Sequence, residues 1–154
     1  MIKTIEGDFS VGSARLAVIA SRFNWTIVDR LVSGAIDTLR RHAIPEANIT
    51  LVKVPGAIEL PLAAKKIVER GEVDGIVALG AVIKGATSHF DYVAGECAAG
   101  LAKVSYEYAL PISFGVLTTE NLEQAIERSG TKAGNKGADA AMSTLEMITL
   151  LRTL

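Results

Sequence analysis

Residues suited to chemistry gather in four short segments: Ser21-Arg22-Phe23-Asn24-Trp25, Pro55-Gly56-Ala57-Ile58-Glu59, Lys84-Gly85-Ala86-Thr87-Ser88-His89 and Thr119-Glu120-Asn121. The third is the most informative, combining a cation, a glycine, two hydroxyls and an imidazole. Where such a run opens a helix, free backbone N–H groups favour an anion, and Gly85 lets the backbone approach it closely. A phosphate or carboxylate fits, although Thr87 or Ser88 acting only as a helix cap would explain the same residues. His89 brings an imidazole suited to proton transfer near neutrality. Phe23 follows an apolar run instead of lying within one, so it either stacks on a planar ring or plugs the core. Glu59, near a helix start, is favoured there by the helix dipole, while Pro55-Gly56 before it brings backbone groups close enough to share in hydroxyl recognition. A fifth stretch from Arg128 to Lys136 is basic and glycine-rich, with Arg128, Lys132 and Lys136 spaced four apart. It reads as half of an anion site or as a solvated turn. His42, at a helix end, needs no role beyond capping.

The elements that must position these segments alternate along the chain. Residues 16–20 form a short apolar run, the mark of a buried strand. Ile27, Leu31, Ala35 and Leu39, joined by Val28, Val32 and Ile36, then give a helix with a broad apolar stripe that stops near His42. Ile49 to Val54 is a second strand, and the helix after it begins near Pro61, a residue tolerated only in a first turn, and ends near Arg70-Gly71. Gly75 to Ile83 is the most uniformly apolar segment and predicts a central strand covered on both faces. A helix with Val93, Cys97, Leu101, Val104 and Tyr108 on one face follows, then a strand over residues 111–118. Asn121 with Gln124 predicts a capping pair for a short helix closed by Gly130. The last helix starts near Asn135 and lines up Ala138, Met142, Leu145 and Ile148.

Four strand and helix alternations predict an α/β fold, a three-layer α/β/α sandwich with a four-stranded parallel sheet and right-handed crossovers. In such an open sheet ligands bind at the carboxyl ends of the strands, where the first four segments fall. The stretch from Arg128 to Lys136 need not reach its own third loop on this topology, so a neighbouring subunit is where it would act. Residues 2–5 are strand-like with no local partner, and are expected to add to a neighbouring subunit as well.

Size and composition bound the rest. The 154 residues are 49% hydrophobic, 21% charged and only 5% aromatic, which predicts one globular domain over residues 1–154 and argues against disorder. A net charge of -1 removes the footprint of a general nucleic-acid binder. One cysteine and two histidines are too few for a disulfide or a conventional zinc site, so a cytoplasmic, metal-free setting is expected. The charged amino terminus is unlike a signal peptide, and no run nears a membrane span.

Five ordered blocks stand out as a set: Ser21-Arg22-Phe23-Asn24; Val54-Pro55-Gly56-Ala57-Ile58-Glu59-Leu60-Pro61; the run from Gly80-Ala81-Val82-Ile83 through Lys84 to His89-Phe90; Phe114-Gly115-Val116-Leu117-Thr118-Thr119-Glu120; and Gln124-Ala125-Ile126-Glu127-Arg128 leading into Gly130-Thr131-Lys132-Ala133-Gly134-Asn135-Lys136-Gly137. With these blocks the chain closely resembles the 6,7-dimethyl-8-ribityllumazine synthase family over essentially its whole length. The resemblance implies a flavodoxin-like fold and the penultimate step of riboflavin biosynthesis, in which 5-amino-6-(D-ribitylamino)uracil condenses with 3,4-dihydroxy-2-butanone 4-phosphate to give the lumazine, phosphate and water. Neither metal nor organic cofactor is expected. It implies that Phe23 stacks on the pyrimidine, that backbone groups of Ala81, Val82 and Ile83 read its edge, and that Ala57 and Glu59, with Ile58 between them, hold the ribityl chain. Gly85, Ala86 and Thr87 would hold the phosphate, and His89 would move protons. Arg128, Phe114 and Lys136 of an adjacent subunit would close the pocket. Homo-pentamers are implied, expected here to assemble into a sixty-subunit icosahedral capsid, with riboflavin synthase as an associated partner and no role for nucleic acid or membrane. Lys84, Ile58 and Trp25 depart from the usual family residues and bear on local ligand fit.

Other classes fit less well. A flavodoxin-like electron carrier needs a hydroxyl-rich phosphate loop where this chain has Arg22-Phe23-Asn24, and a receiver module needs acidic strand ends where it has Arg22 and Lys84. A Schiff-base aldolase using Lys84 remains as an enzyme alternative. A non-catalytic lumazine- or flavin-binding shell remains as a binding alternative.

Overall fold

The computed structural model describes residues 1–154. Its elements are β1 (Leu16–Ser21), α1 (Trp25–Arg41), β2 (Ile49–Val54), α2 (Leu60–Glu69), β3 (Gly75–Ile83), α3 (His89–Tyr108), β4 (Ile112–Thr119), α4 (Leu122–Glu127), β5 (Ser129–Thr131), β6 (Gly134–Asn135) and α5 (Lys136–Thr153). The strands β2-β1-β3-β4, in that spatial order, form one all-parallel sheet. The layers and strand order are flavodoxin-like, as the alternation of elements predicts.

Strand β1 is buried at every position and β3 at all but its last, which explains their unbroken apolar sequences. Alternate residues feed two cores. On one face Leu16, Val18, Val77 and Leu79 meet Leu31 and Leu39 of α1 and Leu145 of α5. On the other, Ala17, Ile19, Ile76 and Ala78 meet Leu60 and Ala64 of α2 and Cys97 and Leu101 of α3. Pro61 stands in the first turn of α2, where its missing N–H has no partner to lose. At the N-terminus of α4, Gln124 N donates to Asn121 Oδ1 at 2.9 Å and Glu120 N donates to Gln124 Oε1 at 2.9 Å. That is the reciprocal cap the sequence predicts, moved one residue back on its return bond.

Several boundaries differ from the sequence expectation. Helix α4 ends at Glu127, well before Gly130. Ser129 Oγ and Thr131 Oγ1 both donate to Ile126 O (3.1 and 2.9 Å), turning the chain into the β5–β6 hairpin with Gly130 at φ +119°. The stripe of α3 stops at Val104, leaving Tyr108 39% exposed. In α5, Leu145 and Ile148 are buried as expected, but Ala138 and Met142 are only half-buried. Ala140, Ala141 and Thr144 occupy the buried face instead, because α5 packs against both α1 and the sheet. Residues 2–5 form no strand within the chain and are exposed. No helix is long and apolar enough to cross a membrane.

Cys97 lies fully buried on the inner face of α3, and burial pushes its thiol from the ordinary 9.0 up to about 11. A thiol reagent at pH 8 should label the native protein far more slowly than the urea-unfolded chain. Because the unfolded thiol loses its proton first, this group's contribution to stability should decline from about pH 9 to about pH 11. The difference between wild type and Cys97→Ala in denaturation midpoint across that range measures it.

Candidate active site

Strands β1 and β3 are neighbours, but the helices that follow them depart to opposite faces: α1 packs on one core and α3 on the other. The resulting crevice at the carboxyl ends of the two strands is the ligand site of open α/β sheets. Here it is a hollow of about 540 Å³ lined by Phe23, Glu59, Ala81, Val82, His89 and Phe90 among others, within the range of small-molecule pockets. The first three chemically suited segments meet in it. The fourth does not: Thr119 lines a different hollow.

Two extensions of the sheet hold Phe23. Arg22 N donates to Val54 O at 2.8 Å and Phe23 N to Pro55 O at 3.1 Å, so the loop after β1 stays paired to the loop after β2. Asn24 follows in the left-handed region at φ 60°, ψ 40°, and its Nδ2 donates across the crevice to Ala81 O at 2.9 Å. The Phe23 ring is left 70% exposed, lining the hollow instead of plugging the core.

Glu59 stands at the N-terminus of α2 without capping it. Its Oε2 is buried with no hydrogen-bond donor, although the residue lines the hollow. A buried carboxylate oxygen without a donor carries a desolvation cost that a ligand hydroxyl would relieve. Ala57 and Ile58 line the same wall, with Ile58 53% exposed.

The loop after β3 supplies the opposite polarity. The backbone N–H groups of Gly85, Ala86, Thr87 and Ser88 donate to no protein acceptor, and they precede the 20-residue helix α3. Ser88 does not cap that helix through its side chain, and Thr87 Oγ1 only accepts a long bond of 3.4 Å from His89 N. The row of donors at a helix N-terminus is therefore free to receive an anion. Gly85, Thr87 and His89 line the hollow directly; Ala86 does not.

Lys84 is also outside the lining, its Nζ resting 3.6 Å from Glu120 Oε2. Trp25 turns away onto the α1 core, with Lys53 Nζ 4.3 Å above its ring. Arg128 and Lys136 line a second hollow of about 340 Å³ with Asp139. Phe114, on edge strand β4 and 37% exposed, lines neither. Within one chain most of the expected site residues thus fall into two groups, with Ala86 and Phe114 in neither. No cluster of three or more His, Cys, Asp or Glu is arranged to hold a metal.

Asn24, Phe90 and Val93 belong to the hollow's lining although their sequence context assigns them no role in it. Asn24 had a signal available: a short amide directly after a strand is a residue that tolerates the left-handed region. Asn24→Gly removes only the amide bond and should cost about 1 kcal/mol, whereas Asn24→Ala adds backbone strain and should cost about 2 kcal/mol. Urea denaturation of the pair separates the two terms, and equal costs would show that the backbone is not strained.

Residues 13–152 of the chain match the family model described as 6,7-dimethyl-8-ribityllumazine synthase. With a match of that extent laid over this crevice, the chain belongs to the lumazine synthase family of riboflavin biosynthesis.

Proposed function

We propose that the protein condenses 5-amino-6-(D-ribitylamino)uracil with 3,4-dihydroxy-2-butanone 4-phosphate, without metal or organic cofactor. The observation that carries this reading is one hollow lined by an exposed aromatic face, an undonated carboxylate oxygen, two residues with free N–H groups (Gly85 and Thr87) and an imidazole. Phe23 offers its ring to the pyrimidine, and the backbone of Ala81, Val82 and Ile83 meets the edge of the base. Ala57, Ile58 and Glu59 take the ribityl chain, with Glu59 Oε2 accepting from its hydroxyls. Gly85, Ala86 and Thr87 direct their N–H groups at the phosphate.

The pyrimidine 5-amine attacks the ketone carbon, and the adduct loses water to form an imine. Elimination then breaks the carbon–oxygen bond to phosphate, the resulting enol becomes a carbonyl, and attack on that carbonyl by the ribitylamino nitrogen, with loss of a second water, closes the ring and completes the lumazine. His89, at the junction of the phosphate cradle and the ring pocket, carries protons between these steps. Holding the two substrates together supplies much of the remaining acceleration.

Arg128 and Lys136 act on the phosphate from an adjacent copy of the chain, with Phe114 of that copy completing the wall. Their location in a separate hollow supports this reading, since a side chain that serves its own pocket should line it. A head-to-tail ring is the closed form of such a contact, and we assign a homo-pentamer, further assembled into an icosahedral capsid. The single cysteine supports a reducing, cytoplasmic setting. A Schiff-base aldolase is less well supported, because Lys84 pairs with Glu120 outside the hollow. A binding-only shell has no use for an imidazole beside a phosphate cradle.

Lumazine absorbance, followed above the uncatalysed background, tests the reaction. His89→Ala should lower the single-turnover rate about a hundredfold without abolishing it, and an unchanged rate would remove His89 from the mechanism. Arg128→Ala should raise KM for the butanone phosphate about tenfold or more, as loss of a charged hydrogen bond implies. No acceleration by folded, assembled wild-type protein would favour the shell.

A further inference from the structure

The segment that carries Arg128 and Lys136 is short, and a single side chain ties it by hydrogen bond to helix α1. Lys136 N donates to Arg128 O at 2.9 Å and Ala133 N to Glu127 O at 2.8 Å, which closes the segment on itself. Asn135 then connects it outward. Its Nδ2 donates to Arg30 O of α1 at 3.0 Å and more weakly to Ser129 O at 3.4 Å, while its Oδ1 accepts from Ala138 N at 3.1 Å and caps α5. No other side chain of the hairpin hydrogen-bonds to α1.

The surroundings are shaped to this amide. A Cβ on Gly34 of α1 would lie 2.5 Å from Asn135 Cγ, Nδ2 and Oδ1, so α1 approaches closely only because position 34 lacks a side chain. Helix α1 begins directly after Phe23 and Asn24, and Arg30 is little more than a turn inside it. Asn135 thus fixes the two cations relative to the helix that leads from the ring pocket.

The geometry points to Asn135 as a positioning residue: the amide sets Arg128 and Lys136 as a matched pair for a phosphate-bearing ligand, through its bond to Arg30 O. This rests on the reading of Arg128 and Lys136 as phosphate-binding groups. Asn135 touches no substrate. Its effect should appear where the cations act and spare the ring pocket.

Two variants approach the bond from opposite sides. Asn135→Ser keeps a hydroxyl able to cap α5 but cannot reach Arg30 O. Gly34→Ala leaves the hairpin sequence intact and displaces the amide from the α1 side. In both, KM for the butanone phosphate should rise about tenfold, as loss of one such hydrogen bond implies, while KM for the pyrimidine stays within about twofold. Binding of inorganic phosphate to the assembled protein, by calorimetry, should weaken in parallel. Equal shifts in both KM values, or no shift in either, would overturn the positioning role. If wild type binds phosphate but forms no lumazine, the proposed reaction fails while the calorimetric comparison still decides the role of Asn135. If wild type binds no phosphate, the inference falls with it.

Discussion

Right-handed crossover between parallel strands is the constraint on which the rest of this molecule depends. With the order β2-β1-β3-β4, the chain leaves β1 over one face and β3 over the other, so the two central strands end side by side beneath a gap. Apolar burial on both faces packs those strands into two cores. Polar groups at their ends are consequently held on a rigid floor, and the Asn24 amide bonded to Ala81 O spans the gap itself. Phe23, Glu59 and His89 need no contact with one another. Each is placed by its own strand or helix end, and the topology brings them together.

The same constraint explains why the site divides. Strand β4 lies at the opposite edge of the sheet from β2, and the segment from α4 to β6 runs from beside β4 to α1 without lining the β1–β3 crevice. Arg128 and Lys136 are gathered beside the carboxyl end of β4. On the proposed reading, the anion cradle and the two cations are brought together by an adjacent copy of the chain. Helix α1 runs between the groups, rooted at the ring pocket and pinned through Arg30 to the cationic hairpin. In a closed ring, each copy would then give with one end and receive with the other.

Much of this was legible in the sequence because its signals are local. Uninterrupted apolar runs marked β1 and β3, a wide stripe marked α1, and Pro61 marked a helix start. The chemically suited loops came from the strand ends alone. The features hidden from the sequence depend on contacts distant along the chain. The β5–β6 hairpin is too short for strand alternation to register, and its anchor is a bond between Asn135 and Arg30, 105 residues apart. The buried face of α5 is wider than one stripe because the helix meets both α1 and the sheet, so Ala138 and Met142 were misplaced. Tyr108 was misread because α3 outruns the core that covers it. The division into two hollows, by contrast, follows from the topology and is expected from the alternation of elements.

The most direct measurement is complementation between copies. His89→Ala and Arg128→Ala, co-expressed as mixed assemblies, place an intact His89 and an intact Arg128 on different subunits. If adjacent copies share each site, about a quarter of the sites in a random mixture carry both residues, and lumazine formation should rise clearly above that of either variant assembled alone. Activity no greater than the average of the two separate variants would contradict a site built from two copies and would return Arg128 to its own chain.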